Sequence, residues 1–273
     1  MLDEAFAAVG LDASIVQASG AEIVQAARRA VAGARVLVAA GGDGTVSAVA
    51  SVAVKAGATF GVVPFGTLNH FARDAGIPQD LQAAAAAIAA GRTRLFDVGE
   101  VNGLIFLNNA SLGVYPDLVR ERQAQQGRGR RKWAAAAIGI VRTWGAYRMI
   151  TVRMILDGGP PIVRRTPFVF LGNGDYREGG PKLGTRRSIG EYLSVSVAPE
   201  LGRFEALALP FRALADRLPS YDKFESFSSN TVSIEAKRSE LTAALDGELT
   251  VVRAPLRFAI RRGALRTLVP AAA

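Results

Sequence analysis

The chain has 273 residues, 49% of them hydrophobic and 21% charged, which suffices for a sizeable core and excludes global disorder. It has no cysteine and a single histidine, His70, so disulfides, thiol catalysis, thiolate zinc sites and multi-histidine metal sites are excluded. Thirty-three basic residues against 24 acidic ones give a net charge of +9, which suits nucleic acid, acidic lipid headgroups or nucleotide phosphates without choosing among them.

The N-terminal MLDEAFAAVG starts acidic and has no long apolar run, so no secretory signal is read there. No stretch is long enough to span a bilayer. A protein in the reducing cytoplasm, soluble or peripheral at a membrane, is expected.

In chain order, AEIVQAARRAVAG reads as a helix stopped by Gly33. RVLVAA is a continuous apolar strand, as expected where both faces are covered. After a glycine-rich turn comes a helix over Val46–Ala56, stopped by Gly57. TFGVVPFG is a second buried strand. DLQAAAAAIAAG is a helix with Asp80 as N-cap and Gly91 past its end. Strand-helix-strand order predicts a parallel α/β domain.

From about Asp97 the period changes. RLFDVGEV and LIFLNNASLGV flank Asn102-Gly103, a hairpin signal. ITVRMILD, TPFVFLGNG, YLSVSVAP, NTVSIEAK, LTAALDGELTVV and LRFAIRR follow as strands. Helices interrupt them only around Lys132–Arg148 and Phe211–Leu218. The second part is expected to be mainly antiparallel β.

Four stretches could carry chemistry. In the turn Gly41-Gly42-Asp43-Gly44-Thr45, a strand ends in glycines and feeds a helix N-terminus, which exposes backbone N–H groups suited to phosphate. It matches neither the Walker A loop nor the dinucleotide fingerprint. A tight turn with Asp43 as a solvated acid is the plainer reading; beside phosphates, the acid would serve a cation or a proton. The stretch VPFGTLNHFARDAGIP follows the second strand, so it lies at the same sheet edge, where open α/β sheets bind ligands. Gly66, Thr67 and Asn69 offer a close backbone approach, a hydroxyl and an amide, and Arg73 a partner for phosphate. His70 is expected to be packed or capping, and Phe71 to be core.

In LDGEL, Asp246-Gly247 is first of all a hairpin turn, while Asp246 and Glu248 together could act as a base and its partner. In RERQAQQGRGRRKW, six basic residues precede a helix with Trp133, Ala137, Ile140, Trp144 and Tyr147 on one face. That suits a membrane surface or an acyl pocket, or equally a solvated loop and a core helix.

Taken together, GGDGTVSAV, VPFGTLNHFARDAGIP, FDVGEVNGLIFLNNASLG, LGNG and LDGEL…LRFAIRRGALRTLVP resemble the diacylglycerol kinase catalytic-domain family, which includes sphingosine, ceramide and bacterial lipid kinases. The stretches occur in the family's order from about Val36 to the end. The resemblance implies an NAD-kinase-like parallel α/β domain over 1–96, joined by 258–273, and a β-rich lipid-substrate domain over 97–257. It implies an ATP- and Mg²⁺-dependent transfer of the γ-phosphate to a lipid hydroxyl such as that of diacylglycerol. Gly41, Gly42, Asp43, Gly44 and Thr45 look like the phosphate-binding turn, with Thr67 and Asn69 as further nucleotide contacts. Asp246 or Glu248 looks like the proton acceptor, with Asp43 organising the transferred phosphate. Asp117 and Arg73 look like substrate-side residues near the cleft.

Two departures stand out. Family members usually begin with a strand and an Asn-Pro-x-Ser-Gly loop, whereas this sequence starts inside what looks like the first helix; either the start is misplaced or the first strand is missing, and a missing strand would leave a sheet edge and one wall of the nucleotide site open. Where the family often has an Asp-Gly holding a structural magnesium, this chain offers Glu191. The rival readings are an NAD kinase, which shares the glycine turn, and a lipid- or nucleotide-binding pseudokinase. Arg128, Arg130, Arg131 and Lys132 are expected to meet an anionic membrane. No nucleic-acid partner is expected, because no binding motif accompanies the basic residues.

Overall fold

The computed structural model describes residues 1–113, 149–174, 190–200 and 224–271. The first part comprises α1 (Leu2–Ala8), α2 (Glu22–Val31), β1 (Val36–Gly41), α3 (Asp43–Ala56), β2 (Thr59–Pro64), α4 (His70–Asp74) and α5 (Leu81–Ala89). β1 and β2 pair in parallel from Val36↔Thr59 to Gly41↔Pro64. Asp80 caps α5 through Ala83 N–H at 3.0 Å. Gly57 ends α3 in the left-handed region with φ +64°.

The helix expected from Val46 begins three residues earlier, at Asp43. Its first bond runs from Val46 N–H to the Gly42 carbonyl at 3.0 Å. The apolar pattern starts only at Val46, so the first turn, Asp-Gly-Thr, carries no periodic signal. α4 is too short to show a period at all.

The second part contributes β3 (Thr93–Val101), β4 (Leu104–Phe106), β5 (Asn109–Gly113), β6 (Ile150–Leu156), β7 (Ile162–Thr166), β8 (Phe168–Asn173) and β9 (Leu193–Val197). β10 (Glu225–Ser229), β11 (Thr231–Ala236), β12 (Glu240–Leu245), β13 (Glu248–Arg253) and β14 (Leu256–Leu268) complete it. A six-stranded antiparallel sheet has the order β10-β9-β8-β5-β12-β13. An eight-stranded sheet runs β1-β2-β14-β11-β6-β7, with β3 on β14 and β4 on β3. Among the described residues β1 is one of its edges and β7 another.

β14 unites the two halves. It pairs antiparallel with β11 and β3, and in parallel with β2 at Thr267↔Phe60. Leu256 and Phe258 enter the sandwich core with Val152, Met154, Ile234, Leu171 and Val195. Leu265 enters the first core with Val49, Ala53, Phe60, Phe71 and Phe96. The expected boundaries at 96–97 and 257–258 therefore both fall inside strands, and Val98, Ile105 and Leu107 pack in the first core. The helices expected around Lys132–Arg148 and Phe211–Leu218 lie outside the described residues.

One expectation changes and two strands are added. LIFLNNASLGV is not one strand: β4 belongs to the eight-stranded sheet and β5 to the six-stranded one, so the chain changes sheets at Leu107-Asn108. β7 and β10 were not expected, because edge strands such as these need little apolar content. Arg164 on β7 donates through Nε to both carboxylate oxygens of Glu225 on β10, at 2.9 Å each, and joins the two edges.

Asp157 closes the turn after β6, with φ +46°. Its carboxylate accepts from Asn230 N–H, Thr231 N–H and the Thr231 hydroxyl. The Thr231 backbone bond, foremost among these contacts, holds its pKa below the ordinary aspartate value. A depressed folded-state pKa contributes stability above the unfolded value, and that contribution is lost as pH falls through the folded one. Asp157→Asn is therefore expected to lower the urea midpoint at pH 7, with the gap to wild type closing below about pH 4. A gap independent of pH would contradict this.

Candidate functional site

The loops that leave β1 and β2 meet main chain to main chain. A Cβ on Gly66 would lie 2.7 Å from Gly42 Cα, and one on Gly41 would lie 2.7 Å from Thr45 Cβ. Only glycine fits these contacts. The N–H groups of Asp43, Gly44 and Thr45 precede the first helical hydrogen bond of α3, so they are available at the positive end of its dipole. Asp43 Oδ1 accepts the His70 N–H at 2.7 Å. The acid in the turn thus ties the first loop to α4.

The second loop is braced from within. Asn69, in the left-handed region with φ +50°, donates through Nδ2 to the Gly66 carbonyl at 2.9 Å and to Gln79 Oε1 at 3.0 Å. It is buried, and both amide hydrogens brace the loop, while its Oδ1 has no hydrogen-bond partner among the described residues. Arg73 Nε donates to the Leu68 carbonyl at 2.8 Å, and its side chain is otherwise exposed. Thr67 is exposed at the tip. The His70 side chain is exposed rather than packed, and it is its N–H that is capped; Phe71 is core, as expected.

The β12–β13 hairpin approaches the same place. Asp246 and Gly247, with φ +48° and +85°, form the tight turn that Asp-Gly favours. Asp246 Oδ1 accepts from Asn108 N–H at 2.7 Å and Asn109 N–H at 3.0 Å. Its Oδ2 accepts from Leu107 N–H at 2.8 Å and the Ser47 hydroxyl at 2.5 Å. Four donors fill the carboxylate. Asp246, one of the two acids expected as proton acceptor, is thus engaged through both oxygens as a clamp. Glu248 is exposed and, among the described residues, its carboxylate makes no hydrogen bond or ion pair. Its Oε1 lies 3.3 Å from the position a Cβ on Gly44 would take. The structure therefore brings Glu248 to the first turn of α3.

Glu191 lies apart. Its N–H, at φ +70°, donates to Asp97 Oδ2 at 3.0 Å, while Asp97 Oδ1 accepts from Gly263 N–H at 2.7 Å. Among the described residues no group of three or more His, Cys, Asp or Glu is gathered to hold a metal, and Glu191 belongs to none. Asp117, Arg128, Arg130, Arg131, Lys132 and the helix from Trp133 lie outside the described residues. Ser47 was missed; its one signal was its place a turn beyond Asp43 on the same helix face. Asn173, in LGNG, donates to the Asp97 and Leu107 carbonyls at 3.0 and 2.8 Å and braces the sheet change from the other side.

The two acids of LDGEL should separate in a stability assay. Asp246→Ala strips the acceptor from three amides and a hydroxyl, and is expected to cost about 3 kcal/mol or more. Glu248→Gln should leave the urea midpoint unchanged. Equal destabilisation by both would refute the division of roles.

The model of the diacylglycerol kinase catalytic domain matches residues 2–101. A Pseudomonas aeruginosa protein named "Probable lipid kinase YegS-like" is 30% identical over 250 residues, covering 88% of this chain and 78% of its own. A Bacillus subtilis diacylglycerol kinase is 42% identical over 85 residues, 30% of this chain and 28% of its own. In fold, a Bacillus anthracis diacylglycerol kinase superposes with a TM-score of 0.67 at 19% identity, over 97% of this chain and 88% of its own. An Archaeoglobus fulgidus NAD kinase solved with ATP gives 0.52 at 11% identity, over 97% of this chain and 86% of its own. The mixed fold, with one partly parallel and one antiparallel sheet, is thus shared with both kinds of kinase, and the chain itself belongs to the diacylglycerol kinase catalytic-domain family.

Proposed function

We propose that the protein is a lipid kinase that transfers the γ-phosphoryl group of ATP to the hydroxyl of a neutral lipid such as diacylglycerol. The observation that carries this reading is the exposed Glu248 carboxylate against Gly44, where the amides of Asp43, Gly44 and Thr45 are available. An anion cradle and a free proton acceptor at one point are what phosphoryl transfer to an alcohol requires.

The cradle fits a nucleotide phosphate: N–H groups, a helix dipole and glycines that leave room for close approach. Thr67 offers an exposed hydroxyl from the second loop. Asp43 has one oxygen on the His70 N–H and keeps the other for a magnesium ion carried by phosphates, since one carboxylate plus phosphate oxygens is the usual setting for that ion. Bound magnesium would supply charge neutralisation on the transferred group. The lipid hydroxyl oxygen attacks the γ-phosphorus, the bond to the bridging oxygen breaks with ADP leaving, and Glu248 accepts the hydroxyl proton. No helix among the described residues is long and apolar enough to cross a membrane. The lipid is then reached from the bilayer surface, with Arg128, Arg130, Arg131 and Lys132 as the basic contact.

The direct test is transfer of labelled phosphate from ATP to diacylglycerol in mixed micelles with Mg²⁺. Glu248→Gln should lower kcat by roughly 10²- to 10⁴-fold with the fold intact. A wild-type protein inactive on every neutral lipid, or an active Glu248→Gln protein, would overturn the reading. Binding to anionic vesicles should weaken with salt and on neutralising the four basic residues, as read by flotation. Unchanged flotation would remove that segment from the membrane contact.

A further inference from the structure

Asp246 and Glu248 are separated by one glycine, so whatever fixes the first places the second. Three of the four donors to Asp246 are amides of residues 107–109, at the passage from β4 to β5. They fix the hairpin to the passage between the two sheets, where the Leu107 side chain packs in the same core as α3, but they place no hydrogen bond on α3 itself. The fourth donor is the Ser47 hydroxyl on α3, at 2.5 Å from Asp246 Oδ2. Among the described residues it is the one side-chain hydrogen bond between α3 and the β12–β13 hairpin.

Ser47 stands one helical turn beyond Asp43, so the face it presents is the face that carries the anion cradle. The same hairpin tip presents Oε1 of Glu248 to Gly44, with 3.3 Å to a hypothetical Cβ. A hydroxyl held at one turn of α3 and a carboxylate held beside the preceding turn make a two-point registration of hairpin on helix. We infer that Ser47 is a positioning residue: through Asp246 it sets how deeply Glu248 sits beside the amides of Asp43–Thr45. The inference rests on Glu248 being the proton acceptor. Reactions of this kind are sensitive to placement, a shift of about 1 Å costing on the order of 100-fold in rate.

A serine that merely stabilised the fold would, on removal, lower the folded fraction and leave the active molecules unchanged. A positioning serine would change the turnover of a folded enzyme. Ser47→Ala and Ser47→Thr test this, the second keeping the hydroxyl, with Ser47→Cys replacing the alanine variant if that one does not fold. Steady-state kinetics with MgATP and diacylglycerol in mixed micelles are expected to show kcat reduced roughly 10- to 100-fold in Ser47→Ala. The KM for ATP should stay within about twofold, and Ser47→Thr should return kcat to within about threefold of wild type. A kcat within twofold of wild type in the folded alanine variant, or a KM change that accounts for the whole loss, would overturn the inference.

A second measurement needs no substrate. Amide hydrogen exchange, read on peptides covering 240–253, should be faster in Ser47→Ala at the hairpin tip and unchanged within α3. Unchanged exchange at the tip refutes the registration even if no lipid is ever phosphorylated. Faster exchange in a protein whose wild type phosphorylates no lipid refutes the kinase reading and leaves the registration standing.

Discussion

A single carboxylate holds the architecture of the site together. When the chain passes from β4 to β5 it leaves one sheet for another, and the three consecutive N–H groups of Leu107, Asn108 and Asn109 all donate to one side chain, Asp246. Buried amides left without an acceptor are costly, so the sheet change needs an anion at that point. Asp246 supplies it, and it can do so because the Asp-Gly turn sets the side chain at the tip of a hairpin. The feature that makes the sandwich possible also brings the hairpin to α3.

β14 gives this junction its stiffness. One thirteen-residue strand runs from the sandwich core into the parallel core and pairs on the way with β11, β3 and β2. The glycine loops sit on the parallel end and the Asp246 hairpin on the antiparallel end. Their relative position is set by continuous backbone pairing, with Asp97 fastening the irregular stretch of β14 through Gly263 N–H.

Much of this was legible in the amino-acid order. Buried parallel strands read as apolar runs, Asp80 and Gly57 marked helix ends, and Asn102-Gly103 and Asp246-Gly247 marked turns. What escaped has a physical cause in each case. The first turn of α3 is glycine and polar residues, which carry no period. The split of LIFLNNASLGV depends on acceptors more than a hundred residues away, beyond the reach of any local pattern. β7 and β10 are polar because edges tolerate polarity. Asp246 and Glu248 look alike in LDGEL, and only the count of donors around each carboxylate tells a clamp from a free acid. That Asn69 braces its own loop through Nδ2 depends on Gln79, ten residues on, which no local pattern marks.

The contact between Gly42 and Gly66 has a thermodynamic consequence. Two flexible glycine loops would each lose conformational freedom on receiving a ligand, and that loss would subtract from affinity. Here each loop is the other's wall, with the Asp43–His70 bond and the Asn69 amide closing the remaining freedom. The ordering is completed as the chain folds. On the proposed reading, an incoming phosphate would meet a surface whose entropy has already been surrendered, leaving its binding energy available for the rest of the nucleotide.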